Sequence, residues 1–210
     1  MLADKENVIL PTKIHMAPAD DVFCNVMPSI LPNNNAGVKV VTRYPNREPS
    51  LDSQLLLMDA SNGHFLALMD ANWITAMRTG AVAVHSILLL AKKNFKTIGF
   101  MGLGNTARST MLILAEMVTE RPLTVKLLKY KGQEVDFANR FKKYNNISFV
   151  YVDTYAEMVK GSDVVISAAT YLADDICDDQ CFDEGVLVVP IHTRGFTNCD
   201  LFFDKVYADD

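Results

Sequence analysis

Apolar residues change their period along this chain. From Thr97 onward, short runs that are apolar at nearly every position alternate with segments whose apolar residues recur every three or four places. TIGFM (97–101), TVKLL (124–128), FVYV (149–152), DVVISA (163–168), VLVVPI (186–191) and KVYA (205–208) are of the first kind. Strands covered on both faces read that way. ARSTMLILAEM (107–117), VDFANRFKKY (135–144) and YAEMV (155–159) are of the second, with Val135, Ala138 and Phe141 on one helical stripe. Strands alternating with helices predict right-handed βαβ units. The fold class is therefore α/β, a Rossmann-type doubly wound parallel sheet.

The first part keeps a different rhythm. GVKVVTRYP (37–45), QLLLMDA (54–60) and HFLALMD (64–70) are strand-like, and SNG (61–63) between the last two is a hairpin signal. They predict a smaller antiparallel α+β region. RTGAVAVHSILLLAKKN (78–94) then reads as a helix leading into the parallel part. The expected division is 1–94 for the first domain and 95–210 for the second.

Composition narrows the function classes. Half of the 210 residues are apolar and 21% are charged, enough to bury a core. A net charge of −5 with no basic block argues against nucleic-acid partners. The run SILLLA (86–91) is too short to span a bilayer, and MLADKENVIL lacks the basic start and apolar stretch of a secretory leader. CDDQC (177–181) offers a metal-like cysteine pair, but no second pair stands at matching spacing, so reduced thiols and no metal are expected. A cytoplasmic protein without membrane contact is the expectation.

FMGLGNTA (100–107) joins a predicted strand to a predicted helix. Gly102, Gly104 and Ala107 match G-x-G-x-x-A, a variant of the dinucleotide fingerprint. Gly102 turns the chain off the strand, and Gly104 has no Cβ to obstruct a pyrophosphate. Small Ala107 lets helix and strand approach, while the helix offers free N–H groups to the phosphates. An NAD(P) cofactor is expected. The next strand runs into LLKYKGQ (127–133), with no carboxylate before Glu134 to hold ribose hydroxyls. Lys129 and Lys131 suit a 2′-phosphate instead, a mild lean to NADP; as plain surface lysines they would say nothing about the cofactor.

GVKVVTRYPN, then LLLMDASNGHFLALMDANWITAMRTGA, then FKTIGFMGLGNTA resemble the ornithine cyclodeaminase/mu-crystallin family in order and spacing over nearly the whole chain. The most specific part is ITAMRTGA (74–81) ahead of the glycine turn. The resemblance implies a substrate-binding and dimerisation domain beside a Rossmann domain, and a homodimer. It implies that Lys39 and Arg78 grip the carboxylate of a small amino or imino acid, with Lys13 as a further basic position. Gln54, Thr79, Asn105 and Thr106 match cofactor-contacting positions, and Thr170 one near the nicotinamide ribose. Taken alone, each of these is an ordinary surface, cap or turn residue.

Two departures from the family pattern matter. Cyclodeaminases carry a catalytic aspartate in a glycine-rich stretch whose counterpart here is PIHTRGFTNCD (190–200), with Arg194 at about that place. His192 is the nearest candidate proton carrier, and Asp200 lies further along. Family chains are also considerably longer, so this one reads as a fragment or as a truncated relative. The implied function is an NAD(P)-dependent enzyme of amino-acid metabolism. It would convert ornithine to proline and ammonia, reduce a related imine, or dehydrogenate an amino acid. The alternative is a mu-crystallin-like module that holds NADPH with little catalysis.

Overall fold

The computed structural model describes residues 7–169, 172, 175–191 and 202–208. The chain divides into two compact units between Thr75 and Ala76. The first is a five-stranded antiparallel sheet in the order β1-β2-β3-β4-β5, made of β1 (Ile14–Ala19), β2 (Val22–Leu31), β3 (Asn35–Arg43), β4 (Leu51–Asp59) and β5 (Phe65–Asp70). Most neighbouring strands are joined by short turns that their residues favour, while a seven-residue loop, 44–50, joins β3 to β4. Asn33 and Asn34 both hold positive φ, 68° and 60°, as a hairpin turn matched to the sheet's twist requires. The expected SNG turn is held by the Asp59 carboxylate, which accepts from the Ser61 N–H at 2.8 Å.

The periodicity missed β1 and β2. All six residues of β1 are exposed, so no buried alternation marks it. In β2, Pro28 stands in mid-strand opposite Val38, where proline ordinarily argues against a strand.

α1 (Asn72–Leu90) continues from β5 across the division of the chain. Its 19 residues are long and apolar enough, by length and composition, to cross a membrane. Here Ala83, Val84 and Ile87 instead join the core that packs on the parallel sheet. That packing groups most of α1 with the second unit, whereas the sequence placed the helix with the first and the boundary near Asn94.

The second unit contains β6 (Thr97–Met101), α2 (Asn105–Met117), β7 (Leu123–Leu128), α3 (Gln133–Arg140), β8 (Ile147–Val152), α4 (Tyr155–Val159), β9 (Val164–Ser167) and β10 (Leu187–Pro190). All four strand pairings are parallel, in the order β10-β9-β6-β7-β8. Ile98 and Phe100 of β6 belong to one core face and Met101 to the other, as a sheet covered on both sides requires. Two expectations need correction. Residues 205–208 form no strand, and Val206 and Tyr207 are exposed. In α3 the buried stripe is Phe137 and Ala138, followed by Phe141 just past the helix, while Val135 is 46% exposed. Phe137 stacks against Phe100 of β6, centroids 5.7 Å apart, and this contact sets the rotation of the helix.

Candidate functional site

Strand order decides where a ligand can sit. The chain winds outward from β6 in one direction through β7 and β8, and in the other through β9 and β10. The reversal between β6 and β9 opens a crevice at the carboxyl ends of these strands. The glycine turn leaves β6 there.

The two glycines do different work. Gly102 has φ +75°, and a Cβ on it would lie 2.3 Å from Ala169 N and 2.4 Å from Ala168 C. Backbone conformation and the end of β9 both exclude a side chain. Gly104 has φ −75° and ψ −166°, which any residue adopts, and a Cβ there meets nothing within 4 Å. What Gly104 provides is open space beside the start of α2. That start has no side-chain cap hydrogen bond and no acidic residue in its first turn, so its N–H groups and positive dipole end face the space unopposed. Asn105 is exposed at the helix start, Thr106 is half-buried, and Ala107 is fully buried against the sheet.

A further polar atom waits at the same edge. Ser167, the last residue of β9, is paired in register with Met101 of β6 and is completely buried. Its Oγ has no hydrogen-bond partner among the described residues. An unpaired buried hydroxyl is costly, and such atoms concentrate where a ligand completes the bonding. Open space at Gly104, free helix N–H groups and this hydroxyl together fit a dinucleotide along the crevice.

The loop after β7 is settled by local pairing. Lys129 Nζ donates to both Asp153 oxygens, at 2.8 and 3.0 Å, and that hydrogen bonding raises its pKa above the ordinary lysine value. Lys131 lies over the Tyr130 ring. Glu134, the first carboxylate after the strand, is turned inward, nearly buried, and accepts the Tyr130 N–H at 3.0 Å. It is thereby committed to the loop rather than to ribose hydroxyls. Arg108, in the first turn of α2, is a residue the sequence pattern gave no reason to single out. Burial, and then the neighbouring Arg140 guanidinium, lower its pKa, with Asp136 opposing.

α1 is held against α2 at Gly80, where a Cβ would stand 2.7 Å from Thr110 N and 2.8 Å from Ser109 C. Arg78, exposed, and Thr79, half-buried, lie just before this crossing. In the first unit, register puts Met27, Lys39 and Leu55 in one row on one face. Lys13 is exposed, one residue before β1 and outside its paired residues. Gln54 pairs with Val40 and occupies the opposite face. Thr170 and His192 lie outside the described residues.

The model of the ornithine cyclodeaminase/mu-crystallin family matches residues 3–204. The chain belongs to this family. Ketimine reductase mu-crystallin of Mus musculus is 31% identical over 150 residues, 69% of this chain and 46% of the relative. The Delta(1)-pyrroline-2-carboxylate reductase of Bacillus thuringiensis is 30% identical over 151 residues, 68% of this chain and 45% of the relative. Among solved structures, the Thermococcus litoralis Delta(1)-pyrroline-2-carboxylate reductase in complex with NADH and L-proline superposes with a TM-score of 0.79 at 27% identity. That match covers 90% of this chain and 59% of the other. The chain thus spans about half the length of the curated relatives it matches.

Proposed function

We propose that this protein is a nicotinamide-dinucleotide-dependent oxidoreductase acting at the α-carbon of a small amino or imino acid. The observation that carries the reading is the open space at Gly104 before an uncapped helix start, in a chain of this family. In this reading Gly102 to Ala107 hold the pyrophosphate, Thr79 contacts the cofactor and Thr170 would serve near the nicotinamide ribose; Gln54, on the sheet face opposite Lys39, is left out of the site. Lys39, Lys13 and the forked guanidinium of Arg78 bind and orient the substrate carboxylate. When bound, the dinucleotide supplies or accepts the hydride; His192 would carry the proton. The lean is to NADP(H), because Glu134 is turned away from the place where a ribose-binding acid is needed.

Imine reduction and amino-acid dehydrogenation fit these residues better than cyclodeamination, since Arg194 stands where the family's cyclodeaminases carry an acid. The same arginine favours a second reading, a module that binds NADPH with little turnover.

Thermal melting with NADH and NADPH tests the core of the proposal. A dinucleotide at a hundred times its Kd should stabilise the fold by about 2.7 kcal/mol. In a turnover assay with cyclic imines and amino acids, Arg78→Ala should raise KM or abolish activity while keeping the cofactor-induced melting shift. Unchanged kinetics reject the role of Arg78; a melting shift without turnover on any substrate favours the binding module.

A further inference from the structure

The dinucleotide reading leaves one charged group unused. Arg108 follows the glycine turn directly, its backbone N–H donating to Gly104 O at 3.0 Å. Among the described residues its Nη1 donates to Asn105 Oδ1, at a long 3.4 Å. Its Nε is buried and has no hydrogen-bond partner among the described residues. Arg140, in the last turn of α3, adds a second positive charge nearby, which Asp136 offsets only in part. A half-buried guanidinium facing a like charge, with an N–H unsatisfied, is what an incoming dianion relieves.

Position identifies the anion. In a doubly wound sheet the adenosine ribose lies between the first turn, after β6, and the loop after the adjacent strand, β7. Arg108 stands on the first of these. On the loop after β7, Lys129 is already bonded to Asp153. A 2′-phosphate carries about −1.5 to −2 charges and three acceptor oxygens, and a planar guanidinium fork engages such a group through two bonds.

We propose that Arg108 binds the 2′-phosphate and so selects NADP(H) over NAD(H), with Lys129 serving the loop's own structure. This rests on the proposed function through its assignment of a dinucleotide to the glycine turn.

The test is calorimetric titration of the protein and its variants with NADPH and with NADH. The wild type should bind NADPH more tightly. Arg108→Gln should weaken NADPH about tenfold to a hundredfold, the range for hydrogen bonds to charged groups, and leave NADH unchanged. Arg108→Lys should fall between the two, which keeps the test sound if the glutamine variant folds poorly. Lys129→Gln should leave the NADPH to NADH ratio within about twofold of wild type, the ordinary scatter of a surface substitution. An unaltered ratio in both Arg108 variants, or a wild-type preference for NADH, overturns the proposal while leaving the dinucleotide reading intact. Binding of neither dinucleotide overturns both.

Discussion

Gly102 and Gly104 are two residues apart in one motif, yet their replacement has opposite consequences. Gly102→Ala puts a Cβ into the main chain of Ala168 and Ala169 and forces a positive φ on alanine, a strain of order 1–3 kcal/mol before the collision is counted. The variant should melt well below the wild type with no cofactor present. Gly104→Ala adds its methyl group to open space, so the unliganded melting temperature should hold within a degree or two, since such surface changes stay within about 0.5 kcal/mol. Its stabilisation by dinucleotide should shrink or vanish, because the methyl group occupies the place proposed for the phosphate. Equal loss of unliganded stability in both variants would show that Gly104 serves the fold. At this scale the sequence was legible where the backbone needs an odd residue: Gly102 between a strand and a helix signalled a tight turn, and it holds φ +75°. It was illegible for Arg108, because an arginine in a first helical turn reads as solvated surface until its Nε is seen to be buried. Asp153 was equally hidden, since its bond to Lys129 spans 24 residues and no local pattern announces it.

Among the elements, α1 has residues in both units of the chain. Within the first unit, Ala71, just before the helix, donates its N–H to Ser53 O of β4 at 2.8 Å, and Thr75 Oγ1 in the first turn makes a buried hydrogen bond to Ser53 Oγ at 3.1 Å. Further on, Gly80 lets it lie directly on the main chain of α2. Gly80→Ala should push the helices apart, costing about 1–3 kcal/mol, as overpacking does, and displace Arg78 two residues away. Chemical denaturation measures the loss, and an accompanying rise in substrate KM would report the displacement. A fully stable variant would mean the helices yield without strain. The strands of the parallel sheet were readable because burial on both faces leaves nearly unbroken apolar runs. α1 was read as starting at Arg78, six residues late, because exposed Trp73 and Ile74 interrupt its polar face. Residues 205–208 were misread for the opposite reason: KVYA has strand-like residues, but no neighbour pairs with them.

For the molecule as a whole, the exposed apolar residues carry a prediction of their own. β5, an edge strand, leaves Phe65, Leu66 and Leu68 exposed, at 73%, 55% and 72%. An edge of that kind invites pairing with another chain. We expect the protein to self-associate, and sedimentation velocity across a range of concentrations should show dimers that Leu68→Lys dissociates. A monomer at every concentration would remove the homodimer from the reading. The fold class was recoverable because it depends on the order of apolar runs. The division of the chain was not, because it depends on which sheet α1 packs against. One contact also constrains how this protein can change by descent. The atoms crowding Gly102 belong to the backbone of Ala168 and Ala169, and no substitution elsewhere can trim a main chain. A selection for second-site suppressors of Gly102→Ala should therefore return the original glycine again and again. Lineages that keep this sheet inherit that position as a fixed letter, while Gly104, with empty space around it, stays free to vary once its ligand is abandoned.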